Sequence, residues 1–109
     1  WEAGAAAFDP HGGQQLDAAG PVQPVARTDD ADLEQMFGSV WEWTGSPFQP
    51  FAGFLPHPYR DYSAPWFDGR PVLRGASHCT QPRMRHPRYR NFFPAARNDV
   101  PAGFRSCAL

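Results

Sequence analysis

The sequence predicts a globular, loop-rich chain of short strands, held together by aromatic burial rather than by long helices. Thirteen Pro and ten Gly among 109 residues interrupt periodic structure throughout, approaching the composition at which chains stay disordered. Four Trp, nine Phe and three Tyr oppose that outcome, because disordered chains carry few aromatic side chains to bury. The third observation is one alternating segment, Val40-Trp41-Glu42-Trp43-Thr44, rich in strand formers.

The other elements follow in chain order. Trp1-Glu2-Ala3-Gly4-Ala5-Ala6-Ala7 reads as the interior of a helix with no cap before it, and the chain opens without Met. The expectation is a piece of a longer protein that begins mid-element. Residues 8–31 mix Gly, Pro, Asp and Gln and read as loop, with one short strand allowed at 22–26. Residues 32–36 offer a single helical turn with the acidic start that the helix dipole favours. After the strand at 40–44, residues 45–69 form a long aromatic loop punctuated by Pro47, Pro50, Pro56, Pro58 and Pro65. Residues 71–75 make a second strand, ending on Gly75, where the backbone is free to bend. Residues 86–91 read as a third strand or extended segment and 103–105 as a fourth. No internal repeat and no domain boundary stand out.

Charge and cysteine usage narrow the class. Ten Arg, no Lys and eleven acids leave a net charge of -1, so the chain as a whole has no attraction for nucleic acid or a membrane surface. No apolar run has membrane-spanning length and no signal peptide opens the chain. Two cysteines, Cys79 and Cys107, make no disulfide framework, and a reduced, cytoplasmic protein is expected. Arg83, Arg85, Arg88, Arg90 and Arg97 interleave with Tyr89, Phe92 and Phe93 in superficial likeness to a nucleic-acid stripe. The balanced charge weighs against that. Arginine also suits bidentate carboxylate recognition, and in an extended segment Arg88 and Arg90 share a face with Tyr89 opposite.

Each singled-out residue has an ordinary reading. Trp41 and Trp43 share one strand face as core aromatics, and Glu42 on the other needs a partner. Cys79 reads as a buried, inert thiol, and His78 as a satisfied structural histidine or a hydrogen-bond donor to substrate. Tyr59 and Tyr62 are phenols able to donate a proton at neutral pH, or simply packed aromatics.

Four motifs carry a family resemblance over the whole chain. Gly38-Ser39-Val40-Trp41-Glu42-Trp43-Thr44 resembles the G-N-V-W-E-W-T signature of the formylglycine-generating-enzyme superfamily, with Ser39 for Asn. Val72-Leu73-Arg74-Gly75-Ala76-Ser77 resembles its V-x-R-G-G-S, Ala102-Gly103-Phe104-Arg105 its closing G-F-R, and Trp1-Glu2 the end of its E-A-E-W-E helix. The segments around 50–54, 59–67 and 89–93 resemble the ergothioneine synthases and their relative, selenoneine synthase. The resemblance implies an α+β, C-type-lectin-like fold of which residues 1–109 are roughly the second half. It further implies a non-haem Fe(II) enzyme that uses dioxygen to join sulfur or selenium to hercynine, with the iron-binding histidines on an N-terminal helical-bundle domain outside this chain.

Site roles follow from the same resemblance. Gln35, the carbonyls of Gly38 and Val40, and Glu42 match a calcium site of superfamily relatives; otherwise Glu42 pairs with an Arg. Oxygen ligands of this mixture suit calcium. Residues 90–97 line the donor pocket, with Arg97 matching a donor-binding arginine and Arg90, Phe92 and Phe93 beside it. Phe93 stands where some of these enzymes have an Asp that grips the donor's ammonium group. Tyr59 or Tyr62, with Tyr62 preferred, takes the place of a tyrosine that points toward the iron-bound oxygen. His78 and Cys79 replace the usual aromatic or small residues and offer a soft wall to sulfur or selenium. Together with Phe93 they lean the reading toward a selenoneine synthase with a selenosugar donor. The alternatives are an ergothioneine synthase using a cysteine-type thiol, or a non-catalytic lectin-like binding module.

Overall fold

The alternating segment becomes the organising strand of the molecule. In the computed structural model, which describes residues 1–16, 19 and 33–106, β1 (Trp41–Pro47) has a neighbour on each edge. β2 (Pro71–Gly75) runs antiparallel to it, with Trp41 opposite Gly75, Glu42 opposite Arg74 and Trp43 opposite Leu73. β3 (Asn91–Phe92) adds antiparallel to β2. β4 (Ala102–Phe104) lies parallel on the far edge of β1, bringing Gly103 opposite Glu42. The resulting sheet has the order β3-β2-β1-β4. One short helix, α1 (Glu2–Ala5), and 3₁₀ turns at Ala64–Trp66 and Pro82–Met84 complete the regular structure.

Period-two alternation puts Trp41, Trp43 and Leu73 on one face and Glu42 and Arg74 on the other. Trp41 and Leu73 are buried, but so is Glu42, because both faces are covered at the start of β1. Trp43 is only half-buried, which corrects the expectation that both indoles lie in the core. Beyond Trp43 the ladder slips: β1 advances four residues while β2 advances two. The Thr44 hydroxyl donates to the Val72 carbonyl across this irregularity at 2.9 Å.

The core packs where α1 and residues 33–38 meet the end of β2. Ala5, Met36, Phe37 and Ala76 form it, with Trp1 and Phe8 against them. Trp1 meets Phe37 edge-on, ring centroids 5.7 Å apart. Gly75 makes this closure possible. Its φ of 84° favours glycine, and a Cβ there would lie 2.7 Å from the Met36 carbonyl oxygen.

A second, purely aromatic cluster lies under the long loop. Phe48 stacks on Phe92 at 4.1 Å and lies 5.0 Å from Phe67, which meets Phe54 edge-on. Such pairs add about 0.5–1.5 kcal/mol each beyond their buried area. This explains how a proline-interrupted segment stays ordered with one 3₁₀ turn. The rest of its surface is apolar and open: Phe51, Leu55, Tyr59 and Tyr62 are all exposed.

The structure corrects two further expectations. Residues 33–36 do not make a helical turn, because Gln35 takes a left-handed φ of 53° that delivers Met36 and Phe37 inward. Residues 86–91, expected as a strand or extended segment, turn at 87–88 and join the sheet only at Asn91. The Tyr89 amide donates to the His86 carbonyl and the Arg88 amide to His86 Nδ1, while Pro87 has no amide to offer a ladder. Only Asn91 and Phe92 pair. The strand allowed at 22–26, Asp32 and Cys107 lie outside the described residues.

Candidate functional site

Three separate groups contain the residues expected to bind metal and substrate. The first centres on Glu42. Both of its carboxylate oxygens accept from Arg105, Oε2 from Nε at 2.7 Å and Oε1 from Nη2 at 2.8 Å. Oε2 also accepts from the Trp1 indole at 2.8 Å. Arg105 Nη2 donates further to the carbonyls of Glu34 at 2.6 Å and Gln35 at 3.1 Å. The four residues expected to hold calcium, Gln35, Gly38, Val40 and Glu42, do line one cavity of about 310 Å³, together with Ser39, Gly103 and Arg105. A guanidinium already holds the carboxylate there, so calcium would have to displace it. In this arrangement the residues fit an internal ion pair rather than a metal.

The second group sits at the edge of the aromatic cluster. Phe92 is part of that cluster, its ring stacked on Phe48. Arg90 lies 3.9 Å over the Phe51 ring and 4.9 Å over Phe48, and donates to the Gln49 carbonyl at 2.8 Å. Burial pushes its pKa down, and the Arg74 charge adds to that. Arg90 and Arg74 border a cavity of about 530 Å³ with Glu2, Thr44 and Phe51. Arg74 is itself paired with Glu2 at 3.0 Å. Arg97 lies 4.8 Å over Phe93 and donates to both oxygens of Asp99, at 2.6 Å and 3.0 Å. That hydrogen bond, more than the bare charge, lowers the Asp99 pKa and raises that of Arg97.

The third group is the turn after β2. The His78 ring Nδ1 lies 2.8 Å from the Ser39 carbonyl, whose oxygen makes Nδ1 the protonated nitrogen. His78 is thus engaged with the backbone of Ser39. Cys79 is a free, exposed thiol, which corrects the reading of a buried cysteine: the turn closed by the Thr80 amide on Ser77 points it outward. Both border a cavity of about 250 Å³ with Leu16, Thr80 and Arg85. Tyr59 and Tyr62 lie apart from all three groups on the exposed loop, Tyr62 5.3 Å from the His57 ring.

The resemblance implies iron, but among the described residues no group of three or more His, Cys, Asp or Glu converges as a metal site. The arginines of 83–97 do not form a stripe. Arg85 is buried and donates to the Thr80 carbonyl, and Arg90 and Arg97 are held as described above. No helix among the described residues is long and apolar enough to cross a membrane. Sequence reasoning missed Asp99 as the partner of Arg97; for Glu42 it offered an Arg partner as the alternative to calcium, without identifying Arg105. The i, i+2 spacing of Arg97 and Asp99 was the signal for the first. The second had only the closing Gly-Phe-Arg motif.

The short mixed sheet, the Trp-Glu-Trp strand and the Gly-Phe-Arg edge strand together define a sulfatase-modifying factor enzyme 1-like domain. Residues 2–108 match that family, and the chain belongs to it. Within the family it is similar to the hercynine oxygenase of Mycobacterium tuberculosis, 42% identical over 95 residues, covering 86% of this chain and 22% of that protein. It is similar also to the hercynine oxygenase of Mycolicibacterium smegmatis, 43% identical over 77 residues, 66% of this chain and 18% of the relative. The ergothioneine biosynthesis protein 1 of Schizosaccharomyces pombe is 35% identical over 77 residues, 68% of this chain and 10% of the relative. The chain therefore spans about a fifth or less of the length of these relatives.

Proposed function

We propose that this chain forms a substrate-binding part of a hercynine oxygenase, an iron- and dioxygen-dependent enzyme that joins the sulfur of a thiol to the imidazole ring of hercynine. The observation that carries this reading is the 42% identity over 86% of the chain to a protein of that name. Forming the carbon–sulfur bond removes one hydrogen from each partner, and dioxygen is the oxidant that takes up those electrons. The iron, on ligands outside this chain, supplies the activation of dioxygen; the residues here bind and orient.

The thiol reading takes precedence over the selenium one because the matched relatives are named for hercynine and ergothioneine. The selenium lean rested on the Phe for Asp exchange at Phe93 and on His78 and Cys79. Asp99 supplies, beside Arg97, the carboxylate that Phe93 lacks. An amino-acid thiol carries both charges this pair can receive, its carboxylate for Arg97 and its ammonium for Asp99. Tyr62 or Tyr59, on the open aromatic loop, is the proton donor in this reading.

The test is oxygen-dependent turnover of the intact protein with hercynine and, in turn, cysteine, γ-glutamylcysteine and a sugar selenolate. Higher kcat/KM with an amino-acid thiol is expected. A preference of about tenfold or more for the selenolate, equal to about 1.4 kcal/mol in transition-state binding, would restore the selenium reading. No hercynine turnover with any donor would leave a binding module.

A further inference from the structure

We infer that the cavity of about 530 Å³ bordered by Glu2, Thr44, Phe51, Arg74 and Arg90 binds a small aromatic monocarboxylate, with Arg90 as its anion anchor. Arg90 lines this cavity, whereas Phe93 and Arg97 do not, so it serves a different pocket from theirs. Its guanidinium lies 3.9 Å over the Phe51 ring and 4.9 Å over Phe48, and Nη1 donates to the Gln49 carbonyl at 2.8 Å. These contacts hold the group in place but leave Nε and Nη2 without an acceptor, and no carboxylate among the described residues pairs with it. The Nε–Nη2 edge is the fork that receives both oxygens of a carboxylate.

The charges around the cavity are unequal. Arg74 is held by Glu2 at 3.0 Å and donates to the Tyr89 carbonyl at 3.2 Å. Glu2 also faces Arg88 at 3.8 Å. Its carboxylate is thus engaged by two other arginines, and the Arg90 charge is left without a counter-ion. Burial pushes the Arg90 pKa down and the Arg74 charge adds to that, a shift that an anion seated there reverses. The remaining walls select the body of the ligand. Trp1, Phe51 and Val72 are apolar, and Phe51 is 72% exposed, so a flat ring laid on it removes that surface from water. Glu2 disfavours a second negative charge, which sets a monocarboxylate above phosphate. Three guanidiniums against one carboxylate disfavour a ligand that also carries a cation, which sets it above hercynine or an amino acid.

The test is calorimetric titration of the intact protein with benzoate at fixed ionic strength. A dissociation constant of about 1 mM or tighter is expected. Acetate, which lacks the ring, benzyl alcohol, which lacks the charge, and inorganic phosphate should each bind about fivefold or more weakly. Excess hercynine or cysteine should not displace benzoate. R90K keeps the charge without the fork and should lose about fivefold or more in affinity. F51E sets a carboxylate beside Arg90 from an exposed position and should abolish binding while the protein stays folded, so it carries the test even where R90K does not fold. R97Q should bind as the native protein does. The inference is overturned if benzoate does not bind, or binds no better than acetate, benzyl alcohol or phosphate. It is equally overturned if hercynine or cysteine displaces benzoate, if F51E binds it as the native protein does, or if R97Q loses it.

Discussion

Arg105 with Glu42 and Arg97 with Asp99 are the same chemical pair in two settings. Both are two-point guanidinium–carboxylate contacts, at 2.7 Å and 2.8 Å in the first and 2.6 Å and 3.0 Å in the second. Their exposure differs. The side chains of Glu42 and Arg105 are 7% and 31% exposed, those of Asp99 and Arg97 64% and 44%. The first joins strands far apart in sequence and takes a third hydrogen bond from Trp1; the second spans two residues within one loop. In the wet setting, water replaces either partner at little cost. In the dry one, losing a partner strands a charge. Pairs of similar geometry therefore differ in consequence: one ties β1 to the end of β4, and under the proposed function the other opens onto a ligand that offers better partners.

The largest way to break this comparison is at Glu42. Glu42→Gln leaves Arg105 without its counter-ion and should destabilise the intact protein by about 3 kcal/mol, read from urea unfolding midpoints. A loss below about 1 kcal/mol would mean the buried pair behaves as a surface pair. Trp1→Phe removes only the indole donor to Oε2 and should cost about 1 kcal/mol, measured in the same way.

Asp99→Asn probes the other side. The melting temperature should fall by no more than about 1 °C, whereas KM for an amino-acid thiol should rise about tenfold with kcat little changed, the signature of lost ground-state binding. Turnover of a donor without an ammonium group should be unaffected. A fall in melting temperature matching that of Glu42→Gln would show that Asp99 is structural.

The smallest effect is on pH. Asp99 has a pKa lowered by its bond to Arg97. A carboxylate lowered on folding stabilises above its ordinary value, and that contribution is lost as pH falls through the lowered one. Melting temperatures of native protein and Asp99→Asn should therefore differ by a constant small amount at pH values above the ordinary aspartate range and converge as pH falls through the lowered value. No difference at any pH would mean that the pair with Arg97 adds nothing to stability.

How much of this was legible in the sequence depends on the distance over which each feature is decided. Strand alternation around Trp41 and the β2 segment ending at Gly75 are local patterns, and both formed where the residues placed them. The family followed from short motifs read in order, and the match over residues 2–108 bears it out. Tertiary contacts decided the rest. The partner of the buried Glu42 lies 63 residues later, just past the end of β4, and alternation along β1 gives the side of the sheet on which the carboxylate falls but not what meets it there. The left-handed turn at Gln35 overrode a weak helical preference, because burying Met36 and Phe37 outweighs the gain from one acidic-capped turn. Cys79 is exposed for the same kind of reason: the bond from Ser77 to Thr80 orients the turn, and composition carries no trace of it. Local chemistry chose the strands of this chain; long-range packing chose which of its ten arginines meets the buried carboxylate of β1.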